Sequence, residues 1–285
     1  MKKKCGMLNI IKSGFFTTVQ DTGRFGFRDK GVPVAGAMDS YTVSTLNLLL
    51  ENDEDSAVLE ITMTGPKLEF EQDTYIVLGG AEMSVTLNDV AIENYKVYKV
   101  NSGDVLSYGK LIKGFRAYLG IKDGFRTASV LGSRSFYKPI TEQDCVKKMS
   151  GLPYTECKMF GPKISKLKVD SILGKSQLEV YKGPEYELLT DKQLAQIFYK
   201  EFSVANENNR MAYQFNEKIE GNTFSMLTSA TLPGTIQLTP AGKLIILMKD
   251  GQTTGGYPRI LQLSDMAISI LSQKKSGDLI SFKLK

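Results

Sequence analysis

The chain has 285 residues, 42% hydrophobic and 24% charged, a length that suggests about two domains, each able to bury a core. Its net charge of +5 comes from 36 basic and 31 acidic residues scattered along the sequence, which argues against a nucleic-acid-binding stripe. It contains no histidine, so Ser-His-Asp and Cys-His catalysis, His-based metal sites and an imidazole base are excluded for this chain by itself.

The opening MKKKCGMLNIIKSG carries the positive charge of a signal peptide, but its apolar piece is only residues 7–11. No run approaches the roughly 18 apolar residues of a membrane span. Cys5, Cys145 and Cys157 are an odd, unpatterned set, as free thiols in a reducing compartment would be. A cytoplasmic protein with no membrane and no nucleic-acid partner is expected.

Residues 15–39, FFTTVQDTGRFGFRDKGVPVAGAMD, place Asp21, Arg24, Arg28 and Asp29 among four glycines. Such a stretch reads equally as a long connector packed by Phe25, Phe27 and Val34 or as a glycine-supported loop holding an Asp and an Arg against a small polar ligand. Asp39 then caps a helix whose apolar residues Tyr41, Val43, Leu46, Leu49 and Leu50 fall at helical spacing. Strands follow at 58–63, 75–80, 83–92, 95–100 and 115–121, with a reversing turn at 101–104. Short strands at such intervals predict a barrel or sandwich rather than alternating βαβ units.

The stretch 141–176 is rich in Lys, Ser, Gly and Pro and reads as a connector. It separates an N-terminal β domain, 1–140, from a C-terminal one, 177–285, and LEITMTGPKLEF (59–70) is faintly echoed by LEVYKGPEYELL (178–189). A helix is predicted from Thr190 or Asp191. Gly174-Lys175-Ser176 is not a phosphate-binding loop, because Val169 stands where the motif needs glycine and a strand-like run follows. Met248-Lys249 leads directly into Asp250 and is unsuited to biotin attachment.

After the apolar run 243–248 comes DGQTTGGYPRI (250–260). One reading is a hairpin turn in which Gly255 and Gly256 supply positive φ. The other is an anion- or amide-binding concavity built from backbone N–H groups, the hydroxyls of Thr253, Thr254 and Tyr257, and Arg259.

TTVQDTGRFG, GVPVAGAMD, LEITMTGPKLEF, LGSRS, NRMAYQF, GTIQLTPAGKLIILM and DGQTTGGYPRI occur in this order over nearly the whole chain. Together they resemble the biotin-dependent carboxyltransferase-like family, which includes allophanate hydrolase subunit 2 and the C-type component of prokaryotic 5-oxoprolinase. The resemblance implies a mostly β fold of two cyclophilin-like β-barrel domains with a few short helices. It implies a C-type subunit of an ATP-dependent complex that opens 5-oxoproline to glutamate. The implied partners are a B-type, kinase-inhibitor-like subunit, which would share a composite site, and an A-type subunit. The alternatives are a carboxyltransferase subunit acting on urea- or allophanate-type amides, and a non-catalytic regulatory binder of the B-type partner.

By the same resemblance, Asp21 and Arg24 are the catalytic candidates, Asp21 as a base or as the group that fixes Arg24. Gln20, Gly36, Asp39, Gln252, Thr253, Thr254, Gly255, Gly256, Tyr257 and Arg259 are candidates for binding a small carboxylate or amide, with Arg24 and Arg259 orienting the anion. Asp39 is more simply the helix cap. No metal and no covalently bound cofactor is expected; ATP is consumed by the complex, and biotin enters only in the carboxyltransferase alternative, carried by another protein. The chain departs from the family pattern at Ala35, where serine is usual, and at Ala212 and Gln214, where glycine and arginine are usual. The Gly-rich, Arg-containing segment that the family has after LGSRS is replaced here by the Lys-rich stretch bearing Cys145 and Cys157.

Overall fold

Alternating apolar and polar positions build the first nine strands, described here from a computed structural model that covers residues 4–224 and 226–285. They are β1 (Cys5–Lys12), β2 (Phe16–Gln20), β3 (Val58–Thr62), β4 (Lys67–Phe70), β5 (Thr74–Leu87), β6 (Val90–Ala91), β7 (Val97–Val100), β8 (Val105–Ile121) and β9 (Gly151–Thr155). The sheet runs β2-β3-β8-β4-β1-β9, and β5 pairs with β6, β7 and β8. The predicted runs at 75–80 and 83–92 thus join largely into the 14-residue β5, which continues past Gly79 and Gly80 in an antiparallel ladder with β8 that shifts register near Glu82 and Met83. Those irregularities bend a long strand without ending it. One face buries Leu8, Ile10, Leu59, Ile61, Leu68, Phe70, Leu78, Leu106 and Leu119 as a continuous core.

Helix α1 (Ser40–Leu49) starts where the sequence places it. The Asp39 carboxylate accepts the Thr42 N–H at 2.9 Å and the Thr42 hydroxyl at 2.7 Å, satisfying donors that the first turn leaves open.

The remaining strands are β10 (Gln177–Lys182), β11 (Phe202–Ser203), β12 (Ala212–Gln214), β13 (Ser229–Ala230), β14 (Thr235–Leu238), β15 (Leu244–Leu247), β16 (Thr254–Gly255), β17 (Arg259–Leu263) and β18 (Leu279–Leu284). Seven form one sheet in the order β11-β18-β10-β17-β14-β15-β12, and β13 pairs with β16 apart from it. Helix α2 (Asp191–Phe198) opens on a capping box between Thr190 and Gln193. Helix α3 (Asp265–Ser272) opens on Ser264. The architecture is mostly β, as expected.

The chain divides into two units. The first is Met1–Gly23 with Asp39–Leu173; the second is Arg24–Met38 with Gly174–Lys285. These bounds differ from the expected 1–140, 141–176 and 177–285 in two ways. The stretch read as a connector contributes β9, which pairs with β1, and groups with the first unit as far as Leu173. Residues 24–38 group with the second unit although they lie early in the sequence. Composition marks a connector by polarity, and it cannot show which sheet accepts the segment's hydrogen bonds. Among the described residues no helix is long and apolar enough to cross a membrane.

Candidate functional site

The expected site residues fall into two groups, one in each unit. In the first unit Asp21 follows β2 and is almost fully buried. Its Oδ1 accepts the hydroxyls of Ser133 and Ser135, both at 2.6 Å, and the Gly23 N–H at 2.8 Å; its Oδ2 accepts the Arg134 N–H at 2.5 Å. Both oxygens are therefore engaged by the LGSRS segment and by the loop's own backbone. Gln20 is fully buried, and its Nε2 donates to the Thr18 hydroxyl and to the Phe136 carbonyl. Asp39, besides capping α1, donates its N–H to the Tyr118 hydroxyl at 2.9 Å, and that hydroxyl donates to Glu60 at 2.9 Å. Burial, reinforced by the nearby carboxylates of Glu60 and Asp39, holds the Tyr118 phenol protonated well above its ordinary range.

In the second unit, four segments far apart in sequence are stitched together. Within residues 24–38, Arg24 is fully buried and its N–H donates to the Val34 carbonyl at 2.7 Å. Ala35 and Gly36 both take left-handed backbone, at φ 54° and 81°, a turn that costs glycine little and alanine more. The Ala35 N–H donates to the Lys249 carbonyl at 2.8 Å. Arg210, from NRMAYQF, grips Asp250 through two hydrogen bonds of 2.8 and 2.9 Å and donates to the Gly36 carbonyl at 2.7 Å. Arg28 donates to the Thr231 carbonyl. Thr231 in turn donates its hydroxyl to the Gln252 carbonyl at 2.6 Å and its N–H to the Thr253 carbonyl at 3.0 Å. The 250–255 loop is thus braced from three directions.

Above this bracing, Gln252, Thr254, Gly256 and Tyr257 are exposed, Thr253 is half-buried and Gly255 is buried. Thr254 and Gly255 form β16 against β13, so the turn carries a short strand of its own.

Arg259 is turned away from the anion-orienting role expected of it. Its Nε and Nη2 form a bidentate pair with Glu185 at 2.9 and 2.7 Å, its backbone N–H donates to the same carboxylate at 2.8 Å, and Nη1 donates to the Ala230 carbonyl at 2.7 Å. These bonds to Arg259 hold the Glu185 carboxyl below its ordinary range. Because the folded state binds that proton less readily than the unfolded state does, the pair's contribution is complete above the ordinary glutamate range near pH 4.3 and fades as pH falls through the depressed folded value. The melting temperature of the wild type is expected to fall more steeply between about pH 5 and pH 3 than that of Glu185→Gln. Parallel slopes in thermal scans across that window would remove Glu185 as the cause.

Gln237, Glu185, Arg28, Arg210, Ser133 and Ser135 belong with these loops, yet sequence reasoning gave none of them a site role. Arg28 carried a signal as a second arginine in the same glycine-rich stretch, and Ser133, Ser135, Arg210 and Gln237 carried one only as members of LGSRS, NRMAYQF and GTIQLTPAGKLIILM. At the departures, Ala212 lies in β12 with extended backbone, paired with Leu247, so no glycine is required there, and Gln214 pairs with Ile245. Cys145 is free, and burial raises its thiol further from the reactive thiolate. Among the described residues no group of three or more acidic or thiol side chains is placed to hold a metal ion.

A family model for the carboxyltransferase domain, subdomain A and B, matches residues 30–284. The C-type component of the 5-oxoprolinase of Escherichia coli (strain K12) is 32% identical over 283 residues, covering 97% of this chain and 90% of that protein. The crystal structure of the Kluyveromyces lactis urea amidolyase superposes with a TM-score of 0.85 at 27% identity, over 99% of this chain and 19% of that one. The crystal structure of TTHA0988 superposes with a TM-score of 0.89 at 21% identity, over 98% of this chain, which spans 56% of it.

Proposed function

Because the chain belongs to the family of the carboxyltransferase domain, subdomains A and B, we propose that it is the C-type subunit of an ATP-dependent 5-oxoprolinase. In this reading it forms a composite site with a B-type subunit, and the complex with an A-type subunit hydrolyses 5-oxoproline to glutamate. One observation supports this above the rest: similarity to the C-type component of a 5-oxoprolinase extends over almost the full length of both chains, whereas the match to the urea amidolyase covers 19% of that protein. ATP is consumed by the assembled complex, and water adds to the lactam carbonyl as the C–N bond opens.

The roles divide according to what each side chain already holds. Thr253, Thr254 and Tyr257, at or near the surface of the braced loop, offer hydroxyls to a small carboxylate or amide. Gln20 and Asp21 shape the first unit's loop from inside, and Asp39 shapes the start of α1, so all three are already engaged within their own unit. Arg24, fully buried, and Arg259, paired with Glu185, support the loops that carry the binding groups.

Reconstitution tests the reading: this chain is co-purified with its B-type partner, then supplied with the A-type subunit, ATP and 5-oxoproline, and glutamate is assayed. Turnover that requires all three proteins supports it; a tight pair without turnover points to a regulatory binder. Thr254→Val is expected to lower kcat/KM about 10- to 100-fold while leaving stability within about 0.5 kcal/mol, because the side chain is exposed. Unchanged turnover would take Thr254 out of the site.

A second reading, a carboxyltransferase acting on urea-type amides, is favoured by the superposition on the urea amidolyase. It requires biotin on a separate carrier, and transfer of the carboxyl group from supplied carboxybiotin to urea by the co-purified pair, with biotin released, would select it.

A further inference from the structure

Gln237 lies in the middle of β14, 1% exposed, and its Nε2 is buried without a hydrogen-bond partner. An orphaned amide donor in an interior is a cost, and a methionine or leucine would fill the same volume without it. The donor lies against the loop built from QTTGG. A Cβ placed on Gly255 would come within 2.4 Å of Gln237 Nε2 and 3.0 Å of Gln252 Nε2. Gly255 does not adopt left-handed backbone, so glycine serves here for space: only a bare Cα lets two side-chain amides approach the same point of the main chain. The Gln252 amide is on an exposed residue. One donor is therefore buried and fixed, the other is at the surface, and both lie at the turn that the Arg28, Thr231 and Arg210 bonds hold in place.

We propose that Gln237 and Gln252 form a two-amide cradle at Gly255 that binds a carbonyl oxygen of the substrate, either the lactam or urea carbonyl or a carboxylate oxygen. The cradle rests on the reading of this loop as the substrate site, and it identifies the chemistry recognised there. Neutral amide donors bind an uncharged carbonyl or a carboxylate without bringing a charge to the site, whereas a guanidinium fork is matched best by a carboxylate. Nε2 is buried in the free chain, so the turn at Gly255 must give way for a substrate oxygen to reach it, and binding then gains a hydrogen bond where the free protein has an unmet donor.

The test uses the full chain, alone and co-purified with its B-type partner. With 15N-labelled glutamine, the Gln237 side-chain pair is assigned by its disappearance in Gln237→Met, and 5-oxoproline and urea are titrated separately. The pair is expected to shift saturably with at least one probe. In the reconstituted complex, Gln237→Met is expected to lower kcat/KM about 10- to 100-fold while melting at or above the wild-type temperature, a combination that a merely structural amide would not produce. Turnover of 5-oxoproline left unchanged by Gln237→Met overturns the cradle and leaves the oxoprolinase reading standing. A Gln237 shift with urea but no turnover of 5-oxoproline keeps the cradle and overturns that reading instead. No shift with either probe, in the chain or in the complex, overturns the cradle.

Discussion

Arg210→Met is expected to lower the melting temperature by roughly 6–20 °C. Arg210 and Asp250 expose only 8% and 14% of their side chains and meet through two hydrogen bonds. Removing one partner from such a buried pair leaves an uncompensated charge, at a cost of about 3–5 kcal/mol, and about 2–4 °C accompanies each kcal/mol in a chain of this size. The same substitution frees the Gly36 carbonyl, so residues 24–38 lose a tie to the start of the 250–255 loop. Turnover of the reconstituted complex should fall by about 100-fold or more, since a displacement of about 1 Å in a binding loop has that effect. Replacing both partners, Arg210→Met with Asp250→Leu, should restore most of the stability but not the turnover, because the Gly36 bond is still missing. A thermal scan that moves only a degree or two for the single variant would show the pair to be as weak as an exposed one.

Asp21→Ala is expected to destabilise the protein by about 4 kcal/mol or more, and Asp21→Asn by less but still measurably. Four donors converge on this carboxylate from Ser133, Ser135, Arg134 and Gly23, and hydrogen bonds to a charged group contribute about 1.5–3 kcal/mol each without adding fully. Alanine leaves every donor unmet. Asparagine can keep the oxygen that accepts from Ser133, Ser135 and Gly23, at neutral rather than charged strength, but turns its N–H₂ toward the Arg134 N–H, which can only donate. Ser133→Ala alone removes one donor and should cost about 1.5–3 kcal/mol. Chemical denaturation of the three variants separates the possible roles of Asp21. A group whose only task is proton transfer would give a stable, inactive Asp21→Asn, and that result would overturn the positioning role.

Much of this was legible in the sequence. The turn residues and β-branched runs located β3, β7 and the end of β8, and the spacing behind Asp39 located α1, because these signals are local. Boundaries failed where local signals conflict with pairing: the glycines at 79 and 80 read as a stop, yet β8 continues opposite them and supplies the hydrogen bonds. Helix α3 had no clear signal, since a run such as DMAISILS is apolar nearly all round and suits a buried strand equally well. The site was legible as loops and illegible as roles. TTVQDTG and DGQTTGGYPRI stood out by their glycines and hydroxyls, but nothing in either segment tells that Glu185 takes Arg259 or that two serines and two backbone N–H groups fill the acceptor positions of Asp21.

The sequence by itself determined the absence of imidazole chemistry, the mostly β architecture, the two capped helices and the family, because composition, period and ordered motifs are properties of the chain in one dimension. Only the tertiary structure decided which polar groups are already engaged and which are not. Arg24, Asp21 and Arg259 looked available as residue types, but each has its place in the interior or its partner from a distant segment. Gln237, inconspicuous in GTIQLTP, is left with an unmet donor beside Gly255. The physical reason is that a hydrogen bond is satisfied by whatever the fold brings within about 3 Å, and that neighbour is set by strand register and loop closure, not by the residues on either side.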